Sequence, residues 1–428
     1  MKKRLFSFLL ALTMLLSAVP AFAEDPVNIE YWFGIGGKQG DMILSLIDQY
    51  NASQDKVHVT GIQFADYGTA NDNYRSALVA GTEPACFHTG IQFIPALVDY
   101  LEPLNDRYAN DPDFHAEDLL EGCLDCMYAP DGETIVGVPL YASTQVMYYR
   151  KDAFEGYDIE EVFSSWQNLY QAMKEITRKD DGGSTVFYGW EPMWNTDNWV
   201  DAVQSAGGTF FTDKESRHVN FLSQEWIDVM TFFSEAFQEG TMMMNHGGTG
   251  WEYWYKNIDD VLQGRAAGYT GSVGDMGDLD FSVVGCHRQP GFGGHEALTG
   301  SDTHAMAISK GASEEEKDAA WDFLKYMNSD YAQGQYSMAS GYVITRKTVL
   351  NDPEFAAYVE KNPQILAAIE ALDHSVKNYV DFTGGYVNTA YHDMVDRVLL
   401  EGMDVIESLT ILQEEAQTAL DEYWATAE

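Results

Sequence analysis

An α/β fold in two lobes is the architecture this sequence predicts, and three observations carry that reading. The chain has 428 residues, 45% of them apolar and 21% charged, too many for one domain of about 100 to 200 residues. Strand-like and helix-like patterns alternate through its N-terminal part, which implies a parallel or mixed sheet covered by helices. Aromatic residues make up 13% of the chain, whereas a disordered acidic chain would lack those rings.

The elements follow in order. Residues 27–32 alternate as a strand does, Gly34 to Gly37 turn the chain, and residues 41–50 form an amphipathic stretch. Residues 57–62 are a second strand, 74–79 a helix stopped at Gly81, and 85–87 a short apolar run. A helix is predicted over 91–100, broken by the segment around Pro103. The punctuated stretch 132–139 suits a crossing between domains. Beyond it come a strand at 145–149, a helix at 166–177, and three tryptophans, Trp190, Trp194 and Trp199, within ten residues. Helical patterns recur at 224–237, 314–327 and 394–423, and the glycine-rich stretch 271–294 reads as loops and short strands.

Acidic residues outnumber basic ones 67 to 25, for a formal charge of −42. Such a body repels phosphate backbones and anionic lipid, so nucleic-acid binding is excluded. At the N-terminus, Lys2, Lys3 and Arg4 precede an apolar run, and Ala21 and Ala23 stand two apart before Glu24. This is the pattern of a secretory signal peptide over residues 1–23. The run is shorter than the roughly 20 residues a membrane span needs. Cleavage after Ala23 discards three basic residues and no acidic one, taking the charge from −42 to −45.

Cys86, Cys123, Cys126 and Cys286 are too few for a disulfide framework. Cys123 and Cys126 read as a local disulfide or two buried thiols, since no second pair or histidine set completes a zinc site. The glycines at 34–40 have the wrong spacing for a dinucleotide fingerprint, and no phosphate loop, zinc-protease helix, esterase elbow or calcium loop is present. No catalytic residue, metal site or cofactor is therefore expected. Among 67 acidic residues some pair would always match a glycosidase acid and base, so such pairs carry no information.

Several blocks stand in a telling order: Ile29 to Phe33, Tyr50-Asn51, Ala80 to Pro84, Gly137 to Phe154, and Lys317 to Met327 followed by Ser340-Gly341-Tyr342. Together they resemble the extracellular solute-binding proteins (family 1) of ABC importers, a family that includes maltose- and glycerol-phosphate-binding proteins. The resemblance implies a type II-like periplasmic-binding-protein fold, two α/β lobes joined by hinge segments around a cleft. Lobe 1 would comprise residues 24–137 plus 307–341, and lobe 2 residues 138–306 plus 342–428. Crossings are expected near 137–139, 305–308 and 340–345.

A sugar needs flat aromatic platforms and planar hydrogen-bonding groups in a cleft. Trp190, Trp194 and Trp199 interleave with polar residues as a cleft-facing loop would, although large aromatics are as often core; Trp251 and Trp254 form a second cluster. By resemblance to the glycerol-phosphate-binding branch, Tyr67, Ser143, Ser272 and Tyr342 fall at ligand-contacting positions. The loop Gly300 to His304, with Asp302, falls at another. Gln92 stands where the branch tends to carry an acid. Where that branch has an arginine for phosphate, residues 381–386 offer no cation. A buried phosphate without a positive partner costs several kcal/mol, so a neutral sugar or oligosaccharide is expected over a glycerophosphodiester. The expected partners are that carbohydrate and the permease subunits, with the protein a monomer, periplasmic or at the cell surface. A secreted carbohydrate-active enzyme is the competing class.

Overall fold

The structure, a computed structural model, describes residues 25–194, 197–213, 216–247, 252–383 and 385–427. The predicted signal peptide and Trp251 lie outside the described residues. The strands are β1 (Val27–Phe33), β2 (Val57–Gln63), β3 (Cys86–Thr89), β4 (Val138–Ser143), β5 (Gln145–Arg150), β6 (Arg178–Lys179), β7 (Thr185–Phe187), β8 (Gly268–Ser272), β9 (Val284–Arg288), β10 (Thr299–Ile308) and β11 (Ser375–Lys377).

The larger sheet has six strands. β1 pairs in parallel with β2 and β3, and β10 runs antiparallel to β3 on one side and to β4 on the other. Both faces of β1 to β3 are covered, as a parallel sheet requires. Tyr31 and Phe33 pack on one another and Tyr31 on Phe323, while Tyr74 of the helix Tyr67–Ala80 stacks on Phe87 at 3.7 Å. That helix starts where the Asp66 carboxylate accepts the Thr69 N–H at 2.7 Å and ends at Gly81 in the left-handed region (φ 66°). A second sheet, antiparallel, has the order β8-β5-β9.

Burial follows the two sheets. One core gathers apolar residues between Ile29 and Tyr141 with those between Ala305 and Tyr336. Another joins residues between Met147 and Phe292 with those between Val387 and Leu420. A third brings Leu120 and Cys123 together with β5, β8 and residues between Val343 and Leu372. Residues 120–123 thus pack against a C-terminal segment, because the helix Glu121–Asp125 lies against β11 and the helix Ile365–Asp373.

The expected elements differ from the observed ones in identifiable places. The helix predicted over 91–100 is a short helix Ile94–Leu97 between two tighter 3₁₀ turns. The pattern at 394–423 is two helices, Tyr386–Leu399 and Val405–Ala427, separated at Gly402 (φ 71°), a conformation that favours glycine. Residues 300–304, expected as a loop, lie inside β10. All four cysteines are free thiols, and Cys86, Cys123 and Cys126 are buried. No described helix is long and apolar enough to cross a membrane.

Candidate functional site: a cleft at the crossing strands

Three segments run side by side where the two sheets meet: β4, β10, and the stretch around Val343, which bridges to Ala142. In the register of β4 on β10, Asp302 faces Ser143 and His304 faces Tyr141. Residues directly opposite in an antiparallel pair project on the same face. With a period of two along each strand, Ser143, Tyr141, Asp302 and His304 therefore share one face of the sheet.

Tyr141 is the centre of that face. Its ring stacks with His304 at 4.8 Å and with Tyr342 at 4.4 Å, and its hydroxyl meets that of Tyr67 at 2.7 Å. Behind it, His304 Nδ1 lies 2.9 Å from His88 Nε2 on β3. Burial holds both imidazoles below their ordinary pKa, so the pair is neutral near pH 7. At the β4–β5 junction Ser143 Oγ comes within 3.4 Å of Ser272 Oγ, and the Thr144 hydroxyl donates to the Gly300 carbonyl at 2.8 Å.

A cavity of about 580 Å³ opens next to this face. One wall is Gln92, Phe93 and Pro95, from the segment after β3, and Asp302 from β10. The other is Asn378, Tyr379, Asp381, Phe382 and Asn388, with Tyr423 from the last helix. Amides, carboxylates and aromatic rings line it, and none of its described lining residues is Lys, Arg or His. Asp381 is already engaged: its carboxylate accepts from the Thr383 N–H and hydroxyl at 2.8 and 2.5 Å and from the Asn388 N–H at 3.0 Å. Asp201, buried in the helix Asp197–Ser205, accepts the Gly300 N–H at 2.7 Å and so anchors the start of β10.

Of the residues singled out by sequence, Tyr67, Ser143, Asp302 and Tyr342 meet at the crossing face, Ser272 adjoins Ser143, and Gln92 shares the cavity with Asp302. Trp190 and Trp199 are elsewhere: both are fully buried, a correction to their reading as a cleft-facing platform. The Trp190 ring lies over Gly268, where a Cβ would fall 2.2 Å from it, and its N–H donates to the Thr270 hydroxyl at 3.1 Å. Trp199 packs edge-on against Phe233 at 4.7 Å. Bridges from Trp190 to Met242 and from Glu191 to Tyr269 draw this stretch into the sheet, so its rings fill the core. Trp194 is half-buried away from the cavity lining, stacked on His392 at 5.1 Å with its N–H donated to Asp396 at 2.9 Å. Sequence reasoning did not single out Tyr141, His88 and His304, buried residues that back this face and do not line the cavity, although Tyr141 and His304 lie inside blocks it had quoted.

Close to Ser272, the buried Asp275 accepts from Trp254 Nε1 at 2.7 Å and from the Tyr269 hydroxyl at 3.0 Å. Burial raises its carboxyl from the ordinary 3.8 to about 7, against the lowering pull of those two donors. The folded state therefore holds this proton more tightly than the unfolded chain does. The resulting stability is fully present below about pH 4 and is lost as the pH rises through about 7. Burial acts the same way on Glu191, raised to about 10. Urea titrations at pH 4.5 and pH 8 are expected to show Asp275→Asn losing about 2 to 4 kcal/mol less than the wild type between the two. Parallel curves for the two proteins would show that Asp275 does not titrate in this window.

A two-lobed α/β binding protein, with a cleft beside its crossing strands, is the class that this fold and site define. The chain belongs to the bacterial extracellular solute-binding protein family, which it matches over residues 45–364. Among curated relatives, the sn-glycerol-3-phosphate-binding periplasmic protein UgpB of Rhizobium meliloti is 22% identical over 352 residues, 80% of each chain. Among solved structures, the sugar-binding protein MalE of Xanthomonas citri matches with a TM-score of 0.81 at 19% identity, over 94% of this chain and all of that one. UgpB of Mycobacterium tuberculosis, in complex with glycerophosphocholine, matches with a TM-score of 0.71 at 19% identity, over 94% and 99% of the two chains.

Proposed function

We propose that this protein is the extracytoplasmic binding component of an ABC importer. It takes a neutral sugar or oligosaccharide into the cleft and hands it to the permease subunits, acting as a monomer in the periplasm or at the cell surface. The observation that carries the ligand class is the cavity wall, which has amides, aromatic rings and carboxylates but no basic side chain among its described residues. Sugar C–H faces pack on rings and sugar hydroxyls bond to amides and carboxylates. A phosphate there would find no charge partner and would oppose a net charge of −42. Relatives include both sugar-binding and glycerol-phosphate-binding proteins, so the wall chemistry is what separates the two.

A hydrolytic role is the competing reading; the relatives named above are binding proteins, which supports a role without catalysis. The proposed lobes are residues 24–137 plus 307–341 and residues 138–306 plus 342–428; the adjacency of β4, β10 and Val343 supports crossings there, while the cores overlap those bounds, Val138 to Tyr141 and Ala305 packing in the first and Leu120 and Cys123 in the third. Thermal melts with maltose, maltotriose, maltotetraose and sn-glycerol-3-phosphate test the ligand class, since binding to the folded state alone raises the melting temperature. A rise with a saccharide that persists in high salt is expected. A rise with glycerol phosphate alone would overturn the neutral-sugar assignment.

A further inference from the structure

We infer, on the reading above that the cleft takes a carbohydrate, that Asp302 selects the ligand: its carboxylate accepts two adjacent hydroxyls of a neutral sugar and turns phosphorylated compounds away. The two carboxylates of the cavity are not equivalent. Asp381 spends its acceptors on Thr383 and on the N–H of Asn388. Asp302 has a 47% exposed side chain, and its ionic neighbour among the described residues is His304, 4.0 Å away. Its two oxygens have room for donors from outside the protein, and a carboxylate can accept two such bonds side by side.

A histidine pair lies behind it. His88 Nδ1 is buried and has no hydrogen-bond partner among the described residues. A bare lone pair there is less costly than an orphaned N–H. That assigns the shared proton to His88 Nε2, donating to His304 Nδ1 across 2.9 Å. The remaining proton of neutral His304 then sits on Nε2, the nitrogen that faces Asp302. His304 thus turns a positive dipole end toward the carboxylate without supplying a full charge that would neutralise it. Asp302 itself, with its side chain 47% exposed, faces the cavity.

The surroundings fit a diol. Ser143 is directly opposite Asp302 in the strand pair, and Gln92 lines the same cavity, so neutral donors and acceptors flank the carboxylate. A hydroxyl pair can donate to Asp302 and bond onward to such neighbours, whereas a phosphate would meet a like charge with no cation in the described wall.

Calorimetric titration of the wild type, Asp302→Asn and Asp302→Ser with maltose, maltotriose, maltotetraose and sn-glycerol-3-phosphate tests this. The same titrations would use monodeoxy analogues of whichever saccharide binds. Both variants are expected to lose about tenfold or more toward that saccharide. One monodeoxy analogue should bind the wild type about tenfold more weakly than its parent, yet bind Asp302→Asn almost as well as the parent does; loss of structure alone would not produce that coupling. Equal melting temperatures of the unliganded proteins check the fold. Saccharide affinity within twofold of wild type in both variants would overturn the role of Asp302 and leave the carbohydrate reading standing. Binding of glycerol phosphate, with no saccharide bound, would overturn both.

Discussion

Tyr141→Ala is expected to lower the unfolding free energy by about 3 to 5 kcal/mol, the range for truncating a buried aromatic ring. Tyr141 is 1% exposed and lies on β4, while its stacking partners His304 and Tyr342 lie on β10 and on the segment preceding Val343. Removing one ring therefore opens a void shared by all three crossing segments. It also leaves the half-buried Tyr67 hydroxyl without its partner at 2.7 Å. Tyr141→Phe separates the two contributions, because it keeps the stack and deletes only the hydroxyl; a loss of about 1 kcal/mol is expected. Denaturant midpoints at unchanged slope measure both. If the alanine variant lost no more than the phenylalanine variant, the stack would contribute nothing to stability.

Arg346→Met is expected to cost about 3 to 5 kcal/mol by leaving buried backbone acceptors unpaired. The guanidinium, 7% exposed, donates to the carbonyls of Asn328 at 3.0 Å, Phe114 at 2.7 Å and His115 at 2.8 Å. Burial lowers its pKa, partly offset by Asp330 and Asp118 nearby. His115 adopts φ 54°, a left-handed conformation uncommon outside glycine, and the hydrogen bond from Arg346 helps to hold its carbonyl in place. One side chain thus connects the residue 114–115 turn, the end of the helix Glu314–Met327 and the third crossing segment. Methionine keeps much of the apolar stem but offers no donor. Arg346→Lys, with a point charge in place of a planar fork, should recover only part of the loss. Full stability of the methionine variant would show that those carbonyls find other donors.

Much of the architecture was legible because its signals are local. β1 and β2 begin at their predicted positions, since alternation with a period of two needs only five or six residues to declare itself; β5 also begins where predicted, as a run of consecutive buried residues. The helix Trp166–Ile176 was legible for the same reason, with Ser165 capping its start. Hydropathy carried no warning of the break at Gly402, where apolar spacing continues on both sides and only backbone conformation distinguishes one helix from two. Placing residues 300–304 in a loop failed because the polar Ser301, Asp302 and Thr303 are strand-like only when β11 and β4 lie alongside to take their backbone groups.

What the sequence by itself determined is the acid excess, the class of fold and the lack of a basic residue at 381–386. Tertiary structure decided which partners each aromatic meets. Trp190 and Trp199 are buried by Thr270, Met242 and Phe233, none of them close in the chain, whereas Tyr67, Tyr141 and Tyr342 converge across the crossing strands. The histidine pair joins positions 216 residues apart. The physical reason is register: local pattern sets which residues of a strand share a face, but only long-range pairing sets what that face meets. Asp302 gains its place beside Ser143, ahead of His304, from the alignment of β10 with β4.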